Sequence, residues 1–293
     1  MTSPSLVSSP LTLVAMFFAA EPILGPARQW LATSTKPANH WRQNEAVRLY
    51  LELRELVSGV PELATIASFN HEEVNRFLRE KGLDIQLGPF NDMTFGTAAV
   101  TDIGMKWTEE AKRGEILVGS TRVPSFVTKP TFLLSSDARH DRSSTFWIKT
   151  QTDDLVGVAM APRPSDPEEL LAATLERMQL TKRCTSPCEV ELPMVDLNLQ
   201  PDVSYLVGMS TQEASGNEAR ISQALMQAIF RMNHLGARSL TGMAMAVTRS
   251  FTAPPPRITF DQPFLAWIER PGLPVPLAAY YIEQADWREP AML

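Results

Sequence analysis

The stretch from Arg220 to Leu265 constrains this chain most, because it is long, lightly built and held at both ends by apolar runs. Ile221 to Met232 is mostly apolar and long enough to cross a sheet. Gly236 to Val247 is rich in Gly, Ala, Ser and Thr and carries one charge, Arg238. Arg249 then stands before Ser250 and Phe251. Pro254, Pro255 and Pro256 stiffen the exit, and Ile258, Phe260, Phe264 and Leu265 resume a buried strand pattern. Small side chains between two strands allow two states: an exposed loop, or an added strand that few side chains obstruct.

The chain around this segment has 293 residues, enough to bury a sizeable core. Hydrophobic content of 44% and charged content of 20% are ordinary for a globular protein. A net charge of −6 without a Lys/Arg run argues against nucleic acid as a partner. Proline outnumbers glycine, 23 to 14, which favours stiff connections over a glycine-rich nucleotide loop. The two cysteines, Cys184 and Cys188, enclose so short a loop that a disulfide is geometrically demanding, and thiols in a turn are the expectation. Leu11 to Ala20 has the length of a signal-peptide core, but no Lys or Arg precedes it, so a buried first helix is expected. It is too short to span a membrane. The sequence has no N-glycosylation sequon and leaves secreted and cytoplasmic locations both open.

Ser9-Pro10 suits a helix start, with Pro in the first turn. From Glu45 to Val57 the spacing predicts an amphipathic helix burying Ala46, Leu49, Tyr50, Leu53, Leu56 and Val57. Asn70 caps a second helix with Glu73 three residues on, and Val74, Phe77 and Leu78 form its inner stripe. Asp166-Pro167-Glu168-Glu169 starts a third, burying Leu170, Leu171, Thr174, Leu175 and Met178. Strands are expected in Thr94–Trp107, Val123–Phe132, Thr145–Met160 and Glu189–Leu199, with a terminal pair in Leu273–Ala279 and Tyr280–Glu283.

Enzymatic constellations are poor. His40, His71, His140 and His234 are scattered, and no metal-ligand spacing, nucleophile elbow or phosphate-binding loop occurs. Glu72-Glu73, Glu109-Glu110 and Glu168-Glu169 sit at helix starts or turns, where they offset helix dipoles or face solvent. The expectation is a protein that is not an enzyme, with no cofactor and no metal.

Taken in order, these segments resemble the serpins. The carriers are SSPLTLVAMFFAAEPILG, EEVNRFLREKG, the strand ending in Trp107, EVELPMVDLNL, and the terminal block RSFTAPPPRITFDQPFLAWI. The resemblance implies an α+β fold in one domain, 1–293: a large mixed β-sheet, smaller sheets, a reduced set of helices and an exposed reactive loop at about 236–256. It also implies that the first family helix is missing. The small size suggests a pared-down lineage, with viruses among the candidate sources.

The function implied is suicide inhibition of a trypsin-like serine protease by a monomer whose loop is the bait. The protease would attack the Arg249 carbonyl, cutting Arg249-Ser250; counting from Gly236 moves the cut one residue on. The severed loop would then insert as a strand before the acyl-enzyme hydrolyses. Its hinge is Gly236, Ala237, Arg238, Ser239, Leu240 and Thr241. Alternation turns Ala237, Ser239, Thr241 and Met243 inward and Arg238, Leu240 and Gly242 outward. Ser9, Pro10, Trp107 and Met226 fall in the region where the family's sheet opens. Five departures oppose insertion: His234-Leu235 replaces the acidic pair usual before the hinge, Ala237 replaces Thr or Ser, Met226 replaces a hydrogen-bonding His, the family's Asn is unmatched near Thr101-Asp102, and the missing first helix weakens the scaffold. The alternative is a non-inhibitory serpin-fold binding protein.

Overall fold

The computed structural model describes residues 4–25, 29–91, 94–134, 144–179, 188–212, 216, 218–237 and 256–291. In chain order its elements begin with β1 (Leu6–Ser8), α1 (Pro10–Phe18), α2 (Glu21–Leu24), α3 (Pro37–Val57), β2 (Leu63–Ser68) and α4 (His71–Glu80). Next come β3 (Gly96–Thr101), β4 (Met105–Lys106), β5 (Lys112–Val118), β6 (Thr121–Thr128), β7 (Phe132–Leu134), β8 (Thr145–Lys149), β9 (Leu155–Met160) and α5 (Pro167–Met178). The rest are strands: β10 (Glu189–Pro193), β11 (Val195–Leu199), β12 (Ser210–Gln212), β13 (Glu218–Arg220), β14 (Ala228–Met232), β15 (Gly236–Ala237), β16 (Arg257–Thr259), β17 (Phe264–Glu269) and β18 (Ala278–Ile282). These fall into two compact units: 1–8, 103–198 and 229–293 form one, and 9–102 with 199–228 the other.

The unit holding residues 9–102 is helical with short strand pairs. α1 starts at Pro10 after Ser9, whose carbonyl accepts the Leu13 amide at 3.1 Å. Leu11, Val14, Ala15 and Phe17 are buried, so the apolar run is a core helix. The Phe17 ring packs on Trp30 and Tyr50 at centroid distances of 5.0 and 5.8 Å. α3 begins earlier than its apolar spacing predicts, because Pro37 supplies a helix start eight residues before Glu45 and polar Gln43 is buried. The Gln43 amide donates to the Tyr205 carbonyl and accepts from the Thr33 and Ser34 amides, which pairs both its nitrogen and its oxygen inside. Asn70 caps α4 by accepting the Glu72 amide, while Glu73 takes the Ser68 hydroxyl. Val74 and Leu78 then bury against Ala98 and Val100 of the antiparallel β2–β3 pair.

The other unit carries the larger sheets. Six strands run in the order β1-β18-β17-β9-β8-β7, every pairing antiparallel. A four-stranded sheet, β16-β10-β6-β5, contains the parallel pairing, β10 with β16. In the six-stranded sheet Trp147 and Trp267 meet edge to face at 6.0 Å, and both indole N–H groups donate to Glu269 Oε2, at 2.9 and 3.4 Å. Gly157 makes room for this pair: a Cβ there would lie 2.1 Å from Trp267 Cε2. α5 covers the cluster with Leu170, and its cap is the expected one, Asp166 Oδ1 accepting the Glu169 amide at 2.8 Å.

Several strand expectations change: Thr94–Trp107 divides into β3 and β4, Val123–Phe132 falls in β6 and β7, and Thr145–Met160 is the antiparallel pair β8 and β9. The 189–199 run breaks at buried Met194, whose amide donates to the Pro124 carbonyl; its halves join different sheets, β10 with β6 and β11 with β14. Residues 221–227 are irregular and only Ala228–Met232 forms a strand, because the polar side chains of Gln223 and Gln227 bond to the 84–88 segment. The expected terminal pair, 273–279 and 280–283, is instead the single strand β18, which starts at Ala278 because Pro274 and Pro276 remove amide donors from the segment before it, and which pairs with β17 and β1. Cys188 is buried, and Cys184 lies outside the described residues.

Candidate functional site

The segment expected to be the reactive loop, 236–256, starts just after β14, and of it Gly236, Ala237 and Pro256 are described. Phe230 stacks on Tyr280 at 4.5 Å and Arg231 pairs with Asp196 at 3.1 Å, so β14 is fixed from both faces. The chain then turns at Asn233, His234 and Leu235. Asn233 ties this turn together: its amide donates to the Gly236 carbonyl at 3.0 Å, and its side-chain oxygen accepts the Leu235 amide at 2.8 Å. Its carbonyl accepts the Trp107 indole N–H at 2.9 Å. The His234 carbonyl accepts the Ala111 amide at 3.3 Å.

Past the turn, β15 pairs antiparallel with β4, Gly236 opposite Lys106 and Ala237 opposite Met105. The approach is possible only for glycine at the first position: a Cβ on Gly236 would stand 2.2 Å from the Met105 carbonyl oxygen and 2.9 Å from Lys106 Cα. β4 is itself held by the β8–β9 turn. There the Gln151 amide donates to the Lys106 carbonyl at 2.9 Å, and the Gln151 side chain to the Trp107 carbonyl at 3.3 Å. Trp107 is buried, stacks on Phe126 at 6.0 Å and bridges to Thr150. The turn of the largest sheet thus positions the strand on which the loop begins.

Of the residues singled out in the sequence, Gly236, Ala237 and Trp107 come together here. Arg238, Ser239, Leu240, Thr241, Arg249 and Ser250 lie outside the described residues. Ser9 and Pro10 start α1, with Pro10 buried, and Met226 is half-buried in the irregular 221–227 segment; all three belong to the other unit. Asn233 and Gln151 were not legible as site residues. The signal for Asn233 was its place in Asn-His-Leu-Gly, since Asn accepts backbone amides in turns; Gln151 had none.

The electrostatics centre on His234. Its ring Nδ1 is enclosed and has no hydrogen-bond partner. Burial holds its pKa below the ordinary histidine value, helped by the Arg113 guanidinium and opposed by Glu110. Among the described residues no group of three or more metal-ligating side chains occurs, and no helix is long and apolar enough to cross a membrane.

The arrangement defines an α+β protein in which the chain leaves β14, turns at 233–235 and pairs β15 with β4. Its solved neighbours are serpins. Serpin48, a highly specific serpin of the insect Tenebrio molitor, superposes with a TM-score of 0.61 at 10% identity, covering 96% of this chain and 92% of its own. The mouse protein-Z dependent protease inhibitor gives 0.55 at 15% identity over 96% and 91%. Thyroxine-binding globulin in complex with thyroxine gives 0.56 at 13% over 98% and 94%. No family model and no curated protein matches the sequence itself. The chain has a serpin fold, carried by a strongly divergent sequence.

Proposed function

We propose that this chain, acting as one serpin-like domain and as a monomer, inhibits a trypsin-like serine protease as a suicide substrate cut after Arg249. The protease serine acylates on the Arg249 carbonyl, and the Ser250 amine leaves. Residues from Gly236 onward then add to the sheet before water releases the enzyme. The observation supporting this reading is the antiparallel pairing of β15 with β4, since an inserting loop extends that same ladder residue by residue. The uncharged, mostly small residues at 237, 239, 241 and 243 suit an inward-facing row. Ser9, Pro10, Trp107 and Met226 are the residues we assign to the opening of the sheet, with Arg238, Ser239, Leu240 and Thr241 completing the hinge.

A second reading, a non-inhibitory serpin-fold binding protein, is favoured by the His234-Leu235 pair before the hinge and by the thyroxine complex among the structural neighbours. Incubation with trypsin and a denaturing gel separates the two. A covalent complex that vanishes in Arg249→Ala supports trapping. Clean cleavage with no complex, and no rise in thermal stability of the cut form, supports the binding protein.

A further inference from the structure

The geometry points to His234 as a pH-sensitive latch on the root of the loop: protonation of its ring opens the 233–235 turn and frees β15 from β4. The latch does not depend on what the loop does afterwards, so it stands whether the protein traps a protease or binds a partner.

The turn is narrow and fully committed. The amide and carbonyl of Asn233 bond to Gly236, the His234 carbonyl to Ala111, and the Leu235 carbonyl to the Trp107 amide at 3.5 Å. His234 is therefore fastened through its backbone on the side from which β5 approaches; the residue as a whole is half-buried, its Nδ1 is enclosed, and opening the turn would let water reach that nitrogen. In the neutral ring one nitrogen carries no proton, so the enclosed Nδ1 can be an unpaired acceptor without any charge. Protonation puts a hydrogen on both nitrogens, and the enclosed Nδ1 has no acceptor for it. A buried donor without an acceptor carries its full desolvation penalty, here with a positive charge added.

The surrounding charges set the balance. Among the described residues the charged groups acting on the ring are Arg113, at the start of β5, and Glu110, just before it. Arg113 repels the imidazolium, although its own guanidinium is partnered by Glu289. Glu110 attracts it. Repulsion and enclosure outweigh the attraction, so the closed turn holds the ring less readily protonated than the open turn does. The sign follows. Above about pH 6.5 the ring is neutral in both forms and the latch is at full strength. As pH falls below that value the open form gains its proton first, and the latch weakens until the closed form is protonated too.

The test is amide hydrogen exchange on the intact protein at pH 7.5, 6.5 and 5.5, corrected for the intrinsic pH dependence of exchange, in the wild type and in His234→Gln. Protection of the amides at 105–107 and 233–237 is expected to fall several-fold from pH 7.5 to 5.5 in the wild type, within the ceiling of about tenfold per pH unit that one proton allows. It should be flat in His234→Gln, while β9 and β17 stay protected in both. An equal fall in the variant, or no fall in the wild type, overturns the latch. The wild-type ring can also be titrated by NMR, which needs no variant to fold: a midpoint below the ordinary histidine value supports the latch, and one at or above it refutes it.

Discussion

Gly236→Ala tests the root of the loop directly. The added Cβ would sit 2.2 Å from the Met105 carbonyl oxygen, a backbone atom with no rotamer to yield. Carbon–oxygen contacts normally begin near 3.3 Å, so β15 and β4 must separate by about 1 Å. A separation of that size breaks a ladder only two residues long, at about 1 kcal/mol for each hydrogen bond lost. With the crowding that remains, the local cost comes to about 2–3 kcal/mol. The largest sheet is untouched, so global melting should move by no more than a few degrees. Hydrogen exchange at Met105, Lys106 and residue 237 should accelerate by roughly 30- to 150-fold, the equivalent of that free energy at about 1.4 kcal/mol per factor of ten. On the proposed mechanism the same variant meets a higher barrier at the first step of insertion, so trypsin cuts it more often than it is caught. Unchanged protection at β4 in a folded Gly236→Ala protein would refute the pairing and the argument built on it.

Two further substitutions probe the frame that carries β4. Gly157→Ala drives a Cβ into the Trp267 ring at 2.1 Å within a closed tryptophan pair, so it should cost about 3 kcal/mol and perturb indole fluorescence; a melting temperature within one degree of wild type argues against that packing. Arg270→Met removes the bidentate partner of Asp154, whose side chain is 2% exposed, and should cost about 3 kcal/mol at neutral pH, with much of the loss recovered in Arg270→Met/Asp154→Asn; failure of that rescue in urea titrations argues against an uncompensated buried carboxylate.

The sequence made the local code of this fold readable and left its pairings hidden. Asn70 and Asp166 announced helix starts because a cap is a relation between residues two or three apart, which the chain order already contains. The inner stripes of α3, α4 and α5 were legible for the same reason: period 3.6 survives in the sequence without any knowledge of partners. β5 was missed since its first four residues are Lys, Arg, Gly and Glu and its apolar end, Ile116–Val118, does not alternate in residue type, with Ile116 buried and Leu117 exposed on the outer strand of its sheet. Met194 gave no warning that one alternating run would serve two sheets, because a strand that changes partners keeps its period.

The site divides along the same line. Gly236 and Trp107 could be marked from residue type and spacing, but the strand they share is held by Gln151, which lies 44 positions from Trp107 in the chain and donates its backbone amide to Lys106 and its side-chain amide to Trp107. Such contacts leave no trace in composition or periodicity. His234 shows the converse. As a departure from the serpin pattern it counted against a working hinge, yet its enclosed ring nitrogen makes the departure a titratable element at the point where loop and sheet first join. An acidic residue in that turn would favour a neighbouring cation at every pH above its own titration. A histidine makes the junction conditional, firm when neutral and weakened when charged. The substitution that weakens the resemblance is therefore the one that gives this chain a property of its own.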